Sequence, residues 1–240
     1  MAKNIIITGA TSGLGRGLAV EMHRRGHTVG ATGRRTKRLN ALRDELGDRI
    51  YTCEMDVTKV DNAITKLESL IDEMGGMDIM VLNAGVSNFR GNHSWDIEQT
   101  VIDVNVRGFT ALASFAYDYF ERQEKGHIVG VSSIAGLFGF GPSSTYNASK
   151  AYVNNYLQGY RQRANRSSAN LIITDLQPGF VESEMTAGKK GMFWVATTKK
   201  AAKQMANAIE SKKNHAYITR RWRLVAWGIK LIPNWIWNRI

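Results

Sequence analysis

The sequence predicts a single α/β domain, a doubly wound parallel sheet with helices on both faces making three layers. Three observations point there. Short apolar runs alternate with longer stretches of helical period along the chain, a glycine-rich turn follows the first run, and no Pro- or Ser-rich linker, internal repeat or low-complexity segment divides the 240 residues. In order, strands are predicted over NIIIT (4–8), HTVGAT (27–32), RIYTCEMDV (49–57), MDIMVLNAG (77–85), GHIVGVSS (126–133), NLIITDLQPG (170–179) and AYIT (216–219). NIIIT and DIMVL are nearly all apolar, as strands covered on both faces must be. Helices are predicted over LGRGLAVEMHRRG (14–26), TKRLNALRDEL (36–46), TKVDNAITKLESLIDEM (58–74), the stretches 96–122 and 146–164, and TTKKAAKQMANAIES (197–211). Residues 1–219 are expected to form the catalytic body, and 220–240 a separate basic, Trp-rich amphipathic segment.

Composition narrows the function classes. A content of 43% hydrophobic and 22% charged residues is that of a soluble globular protein. Cys53 is the one cysteine, so no internal disulfide framework exists and a reducing cytoplasm is the expected compartment. The first residues run straight into a strand pattern without a long apolar stretch, so no export is expected. The formal charge is +11, but Lys212, Lys213, Arg220, Arg221, Arg223, Lys230 and Arg239 supply seven of it after residue 210, where no Asp or Glu occurs. With no zinc-finger spacing or RNP-type aromatic signature, neither nucleic acid nor a metal is expected as a partner.

In TGATSGLGRGLA (8–19), Gly9, Gly13 and Gly15 stand at a strand-to-helix junction. Missing side chains there let backbone approach a pyrophosphate, at which the helix N-terminus points its free N–H groups. Thr11, Ser12 and Leu14 complete that turn as expected cofactor contacts. Taken alone, the turn is equally well read as tight packing of helix on strand. The second predicted strand ends in Gly33-Arg34-Arg35, with no carboxylate near in sequence. An arginine fork matches a 2′-phosphate, whereas an acidic residue would accept from a ribose 2′-hydroxyl, so NADP(H) is the expected cofactor. Further on, Tyr146 and Lys150 are i and i+4 neighbours on one helix face. A free phenol titrates near ~10, and an adjacent ammonium together with a positively charged nicotinamide is expected to lower it toward the working range.

Beyond the TGxxxGxG turn, Asp56-Val57, Asn83-Ala84-Gly85, Asn105, Ser133, Tyr146, Lys150 and Pro178-Gly179 follow in order, Tyr146 standing 13 residues after Ser133. From residue 5 to about 183 the chain thereby resembles the short-chain dehydrogenase/reductase family. The resemblance implies a Rossmann fold, Asp56 and Val57 on the adenine ring, Asn83, Ala84 and Gly85 along the adenosine ribose, and Val181 and Ser183 near the nicotinamide carboxamide. Leu82 replaces the first Asn of the usual NNAG, and Ser183 stands where many relatives carry threonine. Tyr146 is then the general acid for carbonyl reduction and the base for alcohol oxidation. Lys150 binds the nicotinamide ribose hydroxyls, Ser133 donates to the substrate oxygen, and Asn105 fixes a water that links Lys150 to solvent. Singly, Ser133 reads as a strand-end cap, Asn105 as a polar helix residue and Tyr146 as a surface aromatic. Relatives are commonly dimers or tetramers, so a homo-oligomer is expected.

After Pro178-Gly179, residues 182–200 are expected to form a lid whose Met185, Met192, Phe193 and Trp194 favour a hydrophobic ketone, aldehyde or secondary alcohol. The tail holds Trp222, Trp227, Trp235 and Trp237, four of the six tryptophans. A helix over 221–232 would be apolar around most of its circumference, with Arg223 and Lys230 on one stripe, and too short to span a bilayer. Peripheral membrane association is the expectation, with burial against the body or a second subunit as the other reading. Beside the oxidoreductase stands a second function, a dinucleotide-responsive binding or scaffold protein without turnover, which would need no proton relay.

Overall fold

The computed structural model describes residues 1–87, 94–188, 191–237 and 239. Its strands are β1 (Asn4–Ile7), β2 (Thr28–Gly33), β3 (Ile50–Glu54), β4 (Ile79–Leu82), β5 (Lys125–Val131), β6 (Asn170–Pro178) and β7 (His215–Ile218). They form one seven-stranded sheet in the order β3-β2-β1-β4-β5-β6-β7, every pair parallel. β1 lies mid-sheet, with Ile5 opposite Val29 on one side and Ile79 on the other. That position explains its sequence, because a strand hydrogen-bonded on both edges and covered on both faces meets no water. Ile5, Ile6 and Ile7 are all 0% exposed.

The alternation of side chains along β1 sorts the two helical layers. Ile5 and Ile7 meet Leu18 and Met22 of α1 (Gly13–Arg24), Leu39 and Leu42 of α2 (Thr36–Leu46) and Met205 of α7 (Thr198–Glu210). Ile6 faces the other way, into a cluster with Leu67 of α3 (Val60–Met74), Phe120 of α5 (Phe109–Arg122) and Leu157 of α6 (Ser144–Ala164). Each such buried side chain stabilises the fold by about 1.5–3 kcal/mol relative to exposure.

Several elements differ from the sequence expectation, β4 ending at Leu82 rather than Gly85. β3 stops at Glu54, and Asp56 beyond it turns the chain by accepting from the backbone N–H and hydroxyl of Thr58, at 3.0 and 2.9 Å. The helical stretch 96–122 is divided into α4 (Trp95–Ile102), a π-helical segment Asp103–Gly108 and α5. After β7 come α8 (Trp222–Leu231) and the short α9 (Asn234–Trp237), separated at Pro233, which cannot donate to a continuing helix. Among the described residues no helix is long and apolar enough to cross a membrane.

From β1 the chain winds outward to β3, then returns to β4 on the other side of β1. The carboxyl ends of β1 and β4 therefore part at a topological switch point, the place where ligands bind in open α/β sheets.

Candidate active site

A cavity of about 1010 Å³ lies at that switch point, at the upper end of the roughly 300–1,000 Å³ typical of small-molecule sites. Gly9, Thr11, Ser12, Gly13, Leu14 and Gly15 line one end of it, with Gly33, Arg34, Arg35, Asp56, Val57, Asn83, Ala84 and Gly85. Gly9 and Gly13 hold φ at +68° and +53°, and a Cβ on Gly9 would stand 2.8 Å from the Ala84 Cα. Glycine is therefore what lets the end of β1 turn against the end of β4. Ser12 is the N-cap of α1 but makes no side-chain capping bond, and the first turn carries no acidic residue. An uncapped helix N-terminus facing a cavity fits the diphosphate of a dinucleotide.

The arginines at the end of β2 behave differently from one another. Arg34 is exposed and has no hydrogen bond or ion pair among the described residues. Arg35 is held, its Nε and Nη2 donating to the Thr11 hydroxyl at 2.9 and 2.7 Å, and Nη2 also to the Ser12 hydroxyl at 2.6 Å. Its Nη1 donates at 2.7 Å to a carboxylate oxygen of Glu184, whose other oxygen accepts from Arg38. No carboxylate adjoins this pair in sequence, and the lid folds back to bring one, Glu184, from 149 residues away.

At the other end, Ser133, Tyr146, Lys150, Pro178, Gly179, Val181 and Ser183 line the same cavity. Tyr146 and Lys150 lie on α6, 7% and 5% exposed, and the Tyr146 hydroxyl is hydrogen-bonded to Ser133. The Ser133 oxygen also accepts from the N–H of Ala135 at 3.1 Å. Lys150 is turned toward the end of β5. Its Nζ donates to the Val131 carbonyl at 2.9 Å and stands 5.9 Å from the Tyr146 ring centre. Burial pushes the Tyr146 phenol up to about 12, against the hydrogen bond from Ser133. The expected lowering by Lys150 is thus not delivered by the chain's own groups, since desolvation of the phenolate outweighs an ammonium turned toward a carbonyl. Burial also brings Lys150 down to about 8, with Asp175 acting to raise it.

Asn105 does not line the cavity. It lies behind, 1% exposed in the π-helical segment, its amide donating to the Val86 carbonyl at 2.9 Å and to the Ser149 hydroxyl at 3.0 Å. Its Oδ1 accepts from the N–H of Val86 at 2.9 Å. A Cβ on Gly85 would sit 3.4 Å from both that Oδ1 and the Lys150 Nζ, so the two groups converge on one glycine. π-bulges inside helices are frequent at functional sites, and this one carries the residue that clamps the chain after β4.

The lid begins at Val181, which bridges to Ala196, while the Thr198 hydroxyl donates to the Glu182 carbonyl at 2.6 Å. Residues 189 and 190 of the expected lid lie outside the described residues. Of its apolar side chains, Met185 and Phe193 line the cavity, and Met192 and Trp194 do not. Trp194 packs outside, its ring centre 6.2 Å from that of Trp222. The first tail helix closes the same end. Trp222, Val225 and Ile229 line the cavity, and Trp222 is 3% exposed, with ring centres 5.4 Å from Phe180 and 5.0 Å from Phe193.

A family model described as short chain dehydrogenase matches residues 3–194. The chain belongs to the short-chain dehydrogenase family. Within that family of oxidoreductases, an uncharacterized oxidoreductase of Myxococcus xanthus is 36% identical, covering 97% of this chain and 93% of its own. An NADP-dependent 3-hydroxy acid dehydrogenase of Escherichia coli O6:H1 is 33% identical over 74% of this chain and 72% of its own. Among solved structures, a closed form of serine dehydrogenase complexed with NADP+ superposes with a TM-score of 0.76 at 26% identity, covering 86% of this chain and 88% of that one.

Sequence reasoning missed several residues of this short-chain dehydrogenase site. Phe138 and Phe140 line the cavity from between Ser133 and Tyr146, and their place between two candidate catalytic positions was the available signal. Asp175, which lies behind the cavity and does not line it, was also missed. It is 0% exposed on β6 and accepts from the Ser132 hydroxyl at 2.5 Å and from the Gln177 amide at 2.9 Å. Burial pushes its carboxyl up to about 6, against Ser132, Gln177, Arg161 and Lys150. An acid inside NLIITDLQPG was the signal, because a carboxylate in an otherwise buried strand needs partners.

Proposed function

We propose that the protein is an NADP(H)-dependent oxidoreductase acting on CH–OH groups, which interconverts an apolar ketone or aldehyde and its alcohol with Tyr146 as the proton-transfer group. The observation that carries this function is Tyr146 itself, a buried phenol on the cavity wall, bonded to Ser133 and one helical turn from Lys150. NADP(H) is supported by Arg34 and Arg35 at the end of β2 and by relatives named for NADP. The glycine turn and the N-terminus of α1 would hold its diphosphate, and Arg34 and Arg35 its 2′-phosphate. Bound there, the cofactor supplies or takes up the hydride.

The chain's own groups handle the proton. With the phenol at about 12, Tyr146 is protonated at neutral pH, the form that donates to a carbonyl oxygen gaining negative charge. Ser133, whose hydroxyl donates to the Pro178 carbonyl at 3.4 Å, would turn to donate to the same oxygen as its charge grows. Lys150, near 8, lies in the range where an ammonium can return a proton toward the tyrosine. An apolar substrate is favoured because Phe138, Phe180, Phe193 and Trp222 wall the substrate end. Lys150 is the one cation at that end among the described residues.

Tyr146→Phe should lower NADPH-dependent carbonyl reduction by about 10²–10⁴-fold while NADPH still binds, measured by cofactor fluorescence. Turnover at the wild-type rate in that variant would remove Tyr146 from the chemistry, whereas a wild type that binds NADPH and reduces no carbonyl would favour the binding protein without turnover.

A further inference from the structure

α8 has two apolar faces. Trp222, Val225, Ala226 and Ile229 are turned inward, Trp222 and Ala226 being 3% and 0% exposed. Leu224, Trp227 and Leu231, spaced i, i+3 and i+7 on the opposite side, are 59%, 54% and 82% exposed, and Trp235 continues the exposed series at 63%. An ordinary surface helix is polar on its outer side, so this outer face lacks the partner its residues call for. At 100° per residue, Arg223 and Lys230 fall on one flank between the two faces and Arg221 on the other, all exposed. Cations also lie over the aromatic rings, with Arg223 5.0 Å from the centre of Trp227, Arg239 5.8 Å from Trp235 and Arg221 5.4 Å from Trp194.

We propose that this outer face seats on an anionic lipid bilayer, with Leu224, Trp227, Leu231 and Trp235 in the interface and the flanking cations at the headgroups. Charge decides the occupant. Residues 211–240 hold seven basic and no acidic residues, so a second copy pairing face to face would set like charges together, whereas phosphate-bearing headgroups complement them. Tryptophan rings and cationic side chains are the pair that amphipathic interfacial helices present at headgroup level. Seated in this way, the inner face of the same helix still closes the cavity, and the lid's Trp194 adjoins its N-terminal turn. Membrane-dissolved ketones, aldehydes or alcohols thereby become the substrate class, a consequence that rests on the function proposed above; lipid binding itself does not.

The test is flotation of the full chain with vesicles of phosphatidylcholine, with and without phosphatidylglycerol. Wild type should float with the anionic vesicles more than about tenfold better than with neutral ones, falling as salt is added. Leu224→Ser with Trp227→Ser, both exposed, should lower the floated fraction more than about tenfold and leave turnover of a water-soluble aromatic aldehyde unchanged. Turnover of a long-chain ketone dissolved in the vesicles should fall with the floated fraction. Wild type left at the bottom of the gradient would overturn the proposal. So would a dimer by light scattering that the double substitution dissociates while lipid binding is nil, which would assign the face to a second copy. If the wild type floated but turned over no carbonyl, the lipid surface would stand and the proposed function would fall.

Discussion

The two ends of the cavity are made of opposite materials. At the dinucleotide end, the walls are backbone, small residues and two arginines, all placed within a few residues of a strand terminus: Gly9 to Gly15 after β1, Arg34 and Arg35 after β2, Asn83 to Gly85 after β4. The substrate end is walled by Phe138, Phe180, Phe193 and Trp222, drawn from four separate segments of the chain. A ligand common to many proteins can be met by backbone geometry that any strand-to-helix turn supplies. A particular apolar ligand needs side-chain volume, and volume can be contributed from anywhere that folds inward.

The largest test of that difference is Trp222→Ala. Trp222 stacks edge-on to Phe180, and a Cβ on Gly179 would lie 2.1 Å from its ring, so the indole fills the space beside β6. Removing it should cost about 3–5 kcal/mol of stability, read as a shift of the urea midpoint. It should also raise KM for an apolar carbonyl while NADPH affinity stays near wild type. Trp222→Phe should cost less than about 1.5 kcal/mol, because the indole N–H that it deletes has no acceptor among the described residues. Equal losses of cofactor and carbonyl binding in Trp222→Ala would show that the two ends are not separable.

Behind the cavity wall lies Asp175, buried on β6 and lining neither end. Its folded-state pKa near 6 lies above the ~3.9 of an unfolded aspartate. The folded protein therefore binds the proton more tightly, and the stability from this group is present below about pH 4 and lost as pH rises from about 4 to 6. His215 and His127, which burial holds near 4, add stability as pH rises through the same window, so the Asp175 loss is read as the difference between the wild-type and Asp175→Asn curves. Lys150 and Arg161 stay cationic across that window. The loss should be on the order of 2–3 kcal/mol. In Asp175→Asn that loss should vanish, and Gln177, whose amide oxygen has no partner among the described residues, can turn that oxygen to accept from the new amide. Urea midpoints of both proteins between pH 4 and 7 check this. Parallel curves would show that Asp175 is ionised throughout.

Legibility in the sequence follows the same division. All seven strands and the glycine turn could be read because period and turn chemistry are local, and β1 came through as NIIIT since mid-sheet burial leaves no polar position. Tyr146 and Lys150 were legible as a pair, but not the direction of Lys150, which depends on the carbonyl of Val131 in another strand. The π-helical segment around Asn105 left no mark either, because the same residues satisfy an ordinary helical period. The double role of α8 was half visible: an all-round apolar helix demands two partners, yet only the fold shows that Gly179 leaves room for one of them.

The smallest effects concern the arginine that the lid holds. Arg35→Ala should weaken NADPH roughly 10- to 100-fold, the worth of lost charge-assisted bonds, and leave NADH unchanged, since only the 2′-phosphate distinguishes them. Glu184 competes for the same guanidinium, bonding Arg35 at 2.7 Å and pairing with Arg38 as well. Those two arginines hold its carboxyl below the usual carboxylate range, so it is charged at neutral pH and repels a phosphate. Glu184→Gln should therefore tighten NADPH by roughly two- to fivefold, as expected of an exposed pair, with a gain that shrinks as salt is added. Weaker NADPH binding in that variant would reverse its role, making the carboxylate a support that aims Arg35 at the phosphate. The lid would then belong to the dinucleotide end of the cavity as much as to the substrate end.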